Sequence, residues 1–439
     1  MKKAALHNLG CKVNAYETEA MRQMLEKAGY QIVPFTDHAD VYVINTCSVT
    51  NIADRKSRQM LHRAKKENPA SIVVAAGCYV QTSPEAAKAD EAIDIIIGND
   101  RKHELIQLIE EYDGLREKRV LTELCDINEP GRTYETLSLE RTAEHTRAFL
   151  KVQDGCNQFC SYCVIPYARG RVRSRLSEEV AGEVKRLAAN GCREVVLTGI
   201  HLSSYGTDHG ETLLDLIRRV HEVQGIRRIR LGSLEPGIIT EEFVGALAGM
   251  EKVCPHFHLS LQSGCDETLR RMNRRYDTAQ YEKKCSLIRS YYEHPAITTD
   301  VIVGFPGETE EEFERTKEFL QRIQFYEMHI FPYSPRKGTR AAVMEGQIPE
   351  SVKKTRSESL LKLAKDMSQV FRSYYIGKEE EVLLEEKVQI GAEEYYTGYT
   401  REYVRVAVQS EQTAENQLRC GIITGQLTEG VYRMQNDFA

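Results

Sequence analysis

The chain reads as an α/β protein in three parts: an open parallel α/β domain, a partial (β/α)6 barrel, and a small closed β barrel at the C-terminal end. Three patterns predict this. Short apolar runs alternate with helical periods through residues 1–112. The alternation lapses and then resumes for about six more units after residue 146. Beyond Gly377 it gives way to short strands punctuated by glycines.

In the first part, Lys3–Leu9, Val41–Asn45, Ile72–Ala76 and Ile93–Gly98 are short, largely apolar runs of the kind that strands of a two-sided parallel sheet require. Helical periods over Tyr16–Ala28, Ile52–Lys66 and Lys102–Tyr112 connect them. Residues 113–145 are charged, lack a sustained apolar period and include Pro130-Gly131, so a linker is expected there. The second part, 146–374, offers strands at Ala148–Val152, Glu194–Leu197, Arg228–Leu231, His256–Leu261, Thr298–Val303 and Met328–Pro332. Helical patterns at Glu178–Ala189, Leu213–Val223, Glu241–Met250, Tyr281–Tyr292 and Glu310–Ile323 separate most of them. Such units curve into a partial barrel whose ligand face is the carboxyl end of its strands. After a helix at Ser351–Tyr374, residues 375–439 carry turn glycines at 391, 398, 421, 425 and 430 and read as the small barrel.

Composition narrows the function. The 439 residues suffice for about three cores. No run of about eighteen apolar residues exists to span a membrane, and His7 and Asn8 interrupt the N-terminal Met-Lys-Lys-Ala-Ala-Leu before a signal peptide develops. A cytoplasmic protein is expected, in which twelve cysteines serve as thiols and metal ligands rather than disulfides. The net charge of −6 gives no general attraction to nucleic acid. Residues 375–439 hold six Lys/Arg against twelve Asp/Glu, so RNA binding by that barrel would need local geometry around Tyr396–Arg405.

Cys156, Cys160 and Cys163 form a Cys-x3-Cys-x2-Cys loop just past the first barrel strand. With 12 cysteines in 439 residues, accident produces that spacing in about one chain in a hundred. Three thiolates on one loop hold three irons of a 4Fe-4S cluster and leave the fourth open, whereas a structural zinc recruits four protein ligands. Radical enzymes use that open iron to chelate S-adenosylmethionine (SAM). Tyr162, before the third cysteine, either lies beside the adenine of that cofactor or packs as an ordinary tyrosine. Cys11, Cys47 and Cys78 each sit just past a strand of the first part, where open α/β sheets bind ligands. They make a second three-thiolate site, or else small residues suited to buried strand ends.

Other residues surround the same carboxyl face. Thr198-Gly199-Ile200 resembles a glycine segment that meets the methionine amine of SAM, and the two glycines of Asp300-Val-Ile-Val-Gly304-Phe-Pro-Gly307-Glu308 let backbone approach a nucleoside closely. Ser233, Glu235 and Gln262 are candidate polar contacts to cofactor or substrate, or plain strand-end hydrogen bonders. Arg169, Arg171, Arg173 and Arg175 alternate, so an extended segment would turn all four toward a phosphate-bearing partner. Arg270, Arg271, Arg274 and Arg275 form a second run; either run alone also reads as solvated helix-surface arginines, but two about one barrel mouth favour RNA over a small neutral substrate. His256 and His258 read as structural, and Cys125, Cys192, Cys254, Cys265, Cys285 and Cys420 show no ligand spacing.

The order Cys11, Cys47, Cys78, then Cys156-x3-Cys160-x2-Cys163, then Gly-Phe-Pro-Gly-Glu and a terminal β barrel resembles the radical SAM methylthiotransferases over essentially the whole chain. The resemblance implies two 4Fe-4S clusters, an auxiliary one on Cys11, Cys47 and Cys78 and a radical one on Cys156, Cys160 and Cys163. It implies that one SAM methylates an auxiliary-cluster sulfide and another yields the 5′-deoxyadenosyl radical that abstracts hydrogen from adenine C2, which then captures the methylthio group. The small barrel would be a TRAM domain, the partner a tRNA anticodon loop, and the reductant a flavodoxin or ferredoxin. Gly-Cys-Lys-Val-Asn at 10–14, Asn-Thr-Cys-Ser-Val-Thr-Asn at 45–51 and Tyr333-Ser-Pro-Arg-Lys-Gly-Thr339 resemble the threonylcarbamoyladenosine branch. In that branch Lys12 would meet the carboxylate of the substrate, and Arg171 and Arg173 its phosphates. Asp300 stands where the family often has glycine. Other expectations are action on isopentenyladenosine tRNA or a ribosomal protein, or a non-catalytic iron–sulfur RNA-binding protein.

Overall fold

Six strands of the first part, β1 (Lys3–Asn8), β2 (Gln31–Ile32), β3 (Val41–Thr46), β4 (Ile72–Gly77), β5 (Ile95–Ile97) and β6 (Leu121–Glu123), form a parallel sheet in the order β2-β1-β3-β4-β5-β6. The computed structural model describes residues 1–115, 119–141, 146–410 and 412–436. Alternate residues of the central strands feed two cores. Val41, Val43 and Val74 pack with Met21 and Leu25 of helix α1 (Lys12–Lys27), while Tyr42, Ile44 and Val73 pack with Leu61 and Ala64 of α2 (Asn51–Glu67). Burial on both faces is why β3 and β4 lack polar alternation.

The expected linker is partly built into both neighbours. β6 lies within it and extends the first sheet beside β5. Farther along, Leu137 and Leu139 are buried in the main core of the second part, and the Tyr134 hydroxyl donates to the Lys151 carbonyl at 2.6 Å. Single apolar anchors spaced along a charged strap make no period, so the sequence pattern did not reveal them. Residues 116–118 and 142–145 of that span lie outside the described residues.

In the second part, β7 (Arg147–Asp154) carries the short antiparallel β8 (Arg173–Ser174) on its outer edge and pairs in parallel with β9 (Glu194–Gly199), which pairs with β10 (Arg228–Leu231). A second parallel sheet joins β11 (His256–His258), β12 (Ala296–Val303) and β13 (Glu327–Pro332). Bridges Ile229–Val253 and Leu234–Leu259 join the two into one curved wall of six parallel strands, with β8 antiparallel at its edge. The third part, β14 (Glu379–Ile390), β15 (Glu393–Tyr399), β16 (Arg405–Val408), β17 (Leu418–Thr428) and β18 (Val431–Asn436), closes in the order β14-β15-β16-β18-β17.

The small barrel plugs the amino-terminal mouth of the larger one. Arg228 donates to the carbonyls of Tyr399 and Glu381 at 2.8 and 2.6 Å, and Arg230 to that of Arg401 at 2.9 Å. Arg147 reaches the Tyr403 hydroxyl at 2.7 Å and lies 4.9 and 5.0 Å from the centroids of the stacked Tyr399 and Tyr403 rings. The Tyr396–Arg405 neighbourhood, expected to meet RNA if the small barrel does, is thus largely spent on this internal seat. Only Arg405 turns outward, to Glu386.

The first and second parts meet through charge. Glu17 of α1 is fully buried against Arg169 (2.7 Å), Lys151 (2.7 Å) and Lys102 (3.2 Å), and Asp154 joins through Lys151 (2.6 Å) and Arg169 (3.1 Å). Burial alone would push the Glu17 carboxyl up, but Arg169, Lys102 and Lys151 together hold it well below the usual carboxylate range. Removing one partner strands the others in a dry environment. Arg169→Met is therefore expected to cost about 3–5 kcal/mol, and Arg63→Gln, an exposed helix-surface pair with Glu67, less than about 0.5 kcal/mol. Urea unfolding followed by circular dichroism checks this; indistinguishable midpoints would contradict it.

Candidate functional site

The loop after β7 is shaped by two backbone constraints. Gly155 has φ +72°, and a Cβ there would fall 1.7 Å from the Arg171 carbonyl oxygen, so only glycine lets the returning chain pass. Phe159, at φ +51°, is held by Asn273, whose amide donates to its carbonyl at 3.0 Å. The Cys156 amide then donates to the Gly170 carbonyl and the Cys163 amide to that of Cys160, each at 3.0 Å. Ser161 ties the loop to the segment after β11 by donating from Oγ to the Arg271 carbonyl at 2.8 Å.

The three loop thiols are partly exposed and face a polar network. Arg274 donates to Cys160 Sγ at 3.1 Å and pairs with Glu235 at 2.9 Å. Glu235 also accepts from Gln158 at 3.1 Å and lies 3.0 Å from His201 Nε2. Burial pushes the Cys156 thiol up to about 11 and Cys163 up to about 12. Bound cations would reverse that preference and keep thiolates.

Cys11, Cys47 and Cys78 converge at the carboxyl edge of the first sheet. Two of them follow a left-handed glycine. Gly10 (φ +100°) passes so close to Cys47 that a Cβ would lie 2.8 Å from its sulfur, and at Gly77 (φ +99°) a Cβ would lie 2.6 Å from Asn45 Oδ1. Cys11 caps α1, and Cys78 opens the short helix α3 (Cys78–Thr82). Burial pushes Cys47 up to about 11, with Cys78 and Cys11 among its electrostatic neighbours.

The two triads flank one short helix, Ile165–Arg169, which begins two residues after Cys163. The Ala168 carbonyl accepts from Asn99 at 2.7 Å, and Asn99 also donates to Cys78 Sγ at 3.5 Å. Arg169 donates to Asn14 Oδ1 at 2.6 Å, while the Asn14 amide holds the Leu9 and Thr46 carbonyls before Cys11 and Cys47. Across the interface, Arg336 donates to Asn51 at 2.6 Å and Ser48 at 2.9 Å and pins the Cys47 loop. The sequence reading met Arg169 in a row of charge and Asn14 and Arg336 inside motifs but missed what they hold, because most of these contacts join residues dozens to hundreds of positions apart.

Among the described residues, the groups compact enough for a single ion are His258, Asp300, His329 and Cys265, Glu267, Glu312; neither cysteine triad is among them. Three thiols set wider than one ion's shell, beside Arg274 in one site and Arg169 in the other, fit an anionic iron–sulfur cluster.

The remaining expected residues divide. Thr198, Gly199, Glu235, Gln262 and Gly304 lie along the same rim as the Cys156 loop, and Ser233 is exposed there. Gln262 takes φ +74° and bridges to Val301, and Gly304 donates its amide to Glu308 at 2.7 Å. Tyr162 packs edge-on against Phe305, ring centroids 6.3 Å apart. The arginine row does not form. Arg169 is helical and buried, Arg175 is buried on Glu183, and Arg173 is buried and donates to the Arg169 carbonyl, so Arg173 is not free for a phosphate. Buried acids of other elements claim this charge, which the alternation could not disclose. Arg171 alone is exposed, 4.6 Å from the Phe159 ring centroid. In the second run, Arg270 and Arg275 are exposed while Arg271 pairs with Glu312 and Arg274 serves the cluster loop.

Comparison with known proteins follows the same division. Residues 3–98 match Uncharacterized protein family UPF0004, and residues 150–320 match the Radical SAM superfamily. The chain is 41% identical to the threonylcarbamoyladenosine tRNA methylthiotransferase MtaB of Bacillus subtilis, over 92% of this chain and 90% of that one. With the protein of the same name from Aquifex aeolicus the identity is 43%, over 90% and 95%. A tRNA-2-methylthio-N(6)-dimethylallyladenosine synthase of Moorella thermoacetica is 37% identical over 86% and 85%. Among solved structures, the radical S-adenosylmethionine methyltransferase TsrM of Kitasatospora setae shares the fold, with a TM-score of 0.54 at 17% identity over 78% of this chain and 77% of that one. With two cysteine triads set about one helix, and relatives of this identity along nine-tenths of its length, the chain belongs to the radical SAM methylthiotransferase family and is an enzyme whose cofactors are SAM and 4Fe-4S clusters.

Proposed function

We propose that this enzyme inserts a methylthio group at C2 of N6-threonylcarbamoyladenosine beside the anticodon of tRNA. The observation that carries the reading is the pair of triads held on either side of Ile165–Arg169, because the reaction needs a radical source and a sulfur source around one adenine. Cys156, Cys160 and Cys163 would hold the radical cluster, and Cys11, Cys47 and Cys78 the auxiliary one. When bound, these groups supply reductive cleavage of SAM and the sulfur, chemistry that no acid–base pair supplies at an unactivated C–H bond.

The chain's own residues position. Arg274 donates to Cys160 Sγ and offsets negative charge there. Glu235 orients Arg274 and Gln158 on the SAM side, with Thr198, Gly199, Ser233, Gln262, Gly304 and Tyr162 as further cofactor contacts. Arg171, outside the loop, is placed for an RNA phosphate. The reading extends to a cytoplasmic protein, a TRAM-type terminal barrel, and a flavodoxin or ferredoxin as reductant. Branch assignment is supported by the Bacillus and Aquifex relatives, whose names specify threonylcarbamoyladenosine, and by Gly-Cys-Lys-Val-Asn at 10–14. Mass analysis of tRNA nucleosides from a strain lacking the gene tests it: loss of 2-methylthio-threonylcarbamoyladenosine is expected, and loss of the isopentenyl counterpart alone would refute it.

Division of labour predicts two further outcomes. Anaerobic reconstitution should give about eight irons per chain and about four in a Cys156/Cys160/Cys163 triple alanine variant. Cys47→Ala should still release 5′-deoxyadenosine from SAM yet transfer no methylthio group, whereas Cys160→Ala should do neither. A folded Cys47→Ala protein that retains its radical cluster yet cleaves no SAM would sink the division. For RNA, Arg171→Gln should make the salt dependence of tRNA binding shallower by about one unit, the signature of one lost phosphate contact.

A further inference from the structure

Along β12, alternate residues face opposite ways. Ile297, Val301 and Val303 enter the core between the barrel wall and its helices, while Thr298, Asp300 and Ile302 lie on the other face, toward the barrel lumen. Ile302 packs against the same small apolar cluster as Tyr162 of the cluster loop, and Asp300 lies one pleat deeper than Ile302. Asp300 stands directly opposite His329 of β13, and Thr298 directly opposite His258 of β11. His258 reaches Thr298 Oγ1 at 2.9 Å with Nδ1 and Asp300 Oδ2 at 3.2 Å with Nε2. The His258 and His329 rings are 5.9 Å apart. Histidine 258, read as structural in the sequence, thus buttresses a polar floor.

Lys12 completes it. It follows Cys11 directly, and its electrostatic neighbours are Arg230, Arg147 and Asp300, all three of the barrel strands. Its side chain, accessible to solvent, therefore projects over the lumen from the auxiliary triad's side. Arg230 and Arg147 already pair with Glu194 and Glu385. Among the described residues, Lys12 and His329 have no hydrogen bond or ion pair, which leaves one cation and one imidazole unspent over Asp300.

We propose that Lys12, His258, Asp300 and His329 form the pocket that receives the N6 substituent of the target adenosine and reads its carboxylate. Lys12 and His329 donate to the carboxylate, and Asp300, steadied by His258, accepts the N–H or hydroxyl of the same substituent. This rests on the threonylcarbamoyl reading above. An apolar dimethylallyl group would cover Lys12 and Asp300 without partnering either, so the pocket selects through the polar groups it would otherwise leave unpaired. The same atoms are close enough for a divalent cation, but the Lys12 charge among the electrostatic neighbours of Asp300 argues for an anion.

The test compares reconstituted wild type with Lys12→Met and His329→Leu, variants on different elements that remove one donor each. Equilibrium binding is measured to anticodon stem-loops carrying threonylcarbamoyladenosine, isopentenyladenosine or unmodified adenosine, and iron content confirms that clusters and fold persist. Wild type should favour the carboxylated loop, and each variant should narrow that preference about tenfold, the loss expected for one charge-assisted hydrogen bond. Variants that keep the wild-type preference would overturn the pocket while leaving the proposed function intact. A wild type that favours the isopentenyl loop would overturn the substrate reading itself. A stoichiometric divalent ion held by the wild type and lost in His329→Leu would also overturn the pocket, assigning the site to a metal.

Discussion

Everything at the site depends on the contact between Glu17 and Arg169. Glu17 rides on the helix that Cys11 caps, and Arg169 ends the helix that begins two residues after Cys163. Their 2.7 Å pair therefore spans from one cysteine triad to the other through two rigid helices and no flexible loop. A buried ion pair is a weak source of net stability, since desolvation offsets most of its attraction. Its geometry is what an apolar contact could not provide. Arg169 must meet Glu17, Asp154 and Asn14 together, and only one placement of the first part against the barrel allows all three. Three cations contact two carboxylates in this cluster, so the surplus charge lies beside Cys11 and Cys78, where thiolates would gather.

The small C-terminal barrel acts at the opposite end. Arg147, Arg228 and Arg230, near the starts of β7 and β10, spend their donors on its carbonyls, its hydroxyls and Glu194. That covers the lumen at the end opposite the rim that carries the Cys156 loop. A flipped base entering there would meet the cluster side first and bring its substituents toward the floor. The acidic balance of residues 375–439 is consistent with this role, because what that barrel contacts most closely is a ring of arginines from the larger one.

How far the sequence disclosed this depends on the range of each interaction. Strands β3 and β4, the helix Glu310–Ile323 and the six βα units were legible because burial on two faces or one stripe leaves a local period. The cysteines stood out because the Cys156-x3-Cys160-x2-Cys163 spacing is local and because Cys11, Cys47 and Cys78 each follow a strand. Arg173 and Arg175 were misleading for the same reason that they matter. Their partners are carbonyls and acids outside the strand, so an alternating row of charge looked like a surface when it was the inside of an interface. The strap bearing Leu137 and Leu139 was illegible because single anchors have no period.

Asp300 joins these two scales. This chain places a carboxylate on the lumen face of β12, and His258 of the neighbouring strand β11 holds it. A glycine there would leave the floor open and His258 without its partner. On the reading proposed above, adenine C2 would sit between the triads that flank the helix Ile165–Arg169, whatever the N6 substituent. Discrimination among substituents must then come from what lies deeper than the clusters. On the pocket proposed above, the unspent donors of Lys12 and His329 above Asp300 are where a carboxylate would be told from an apolar group.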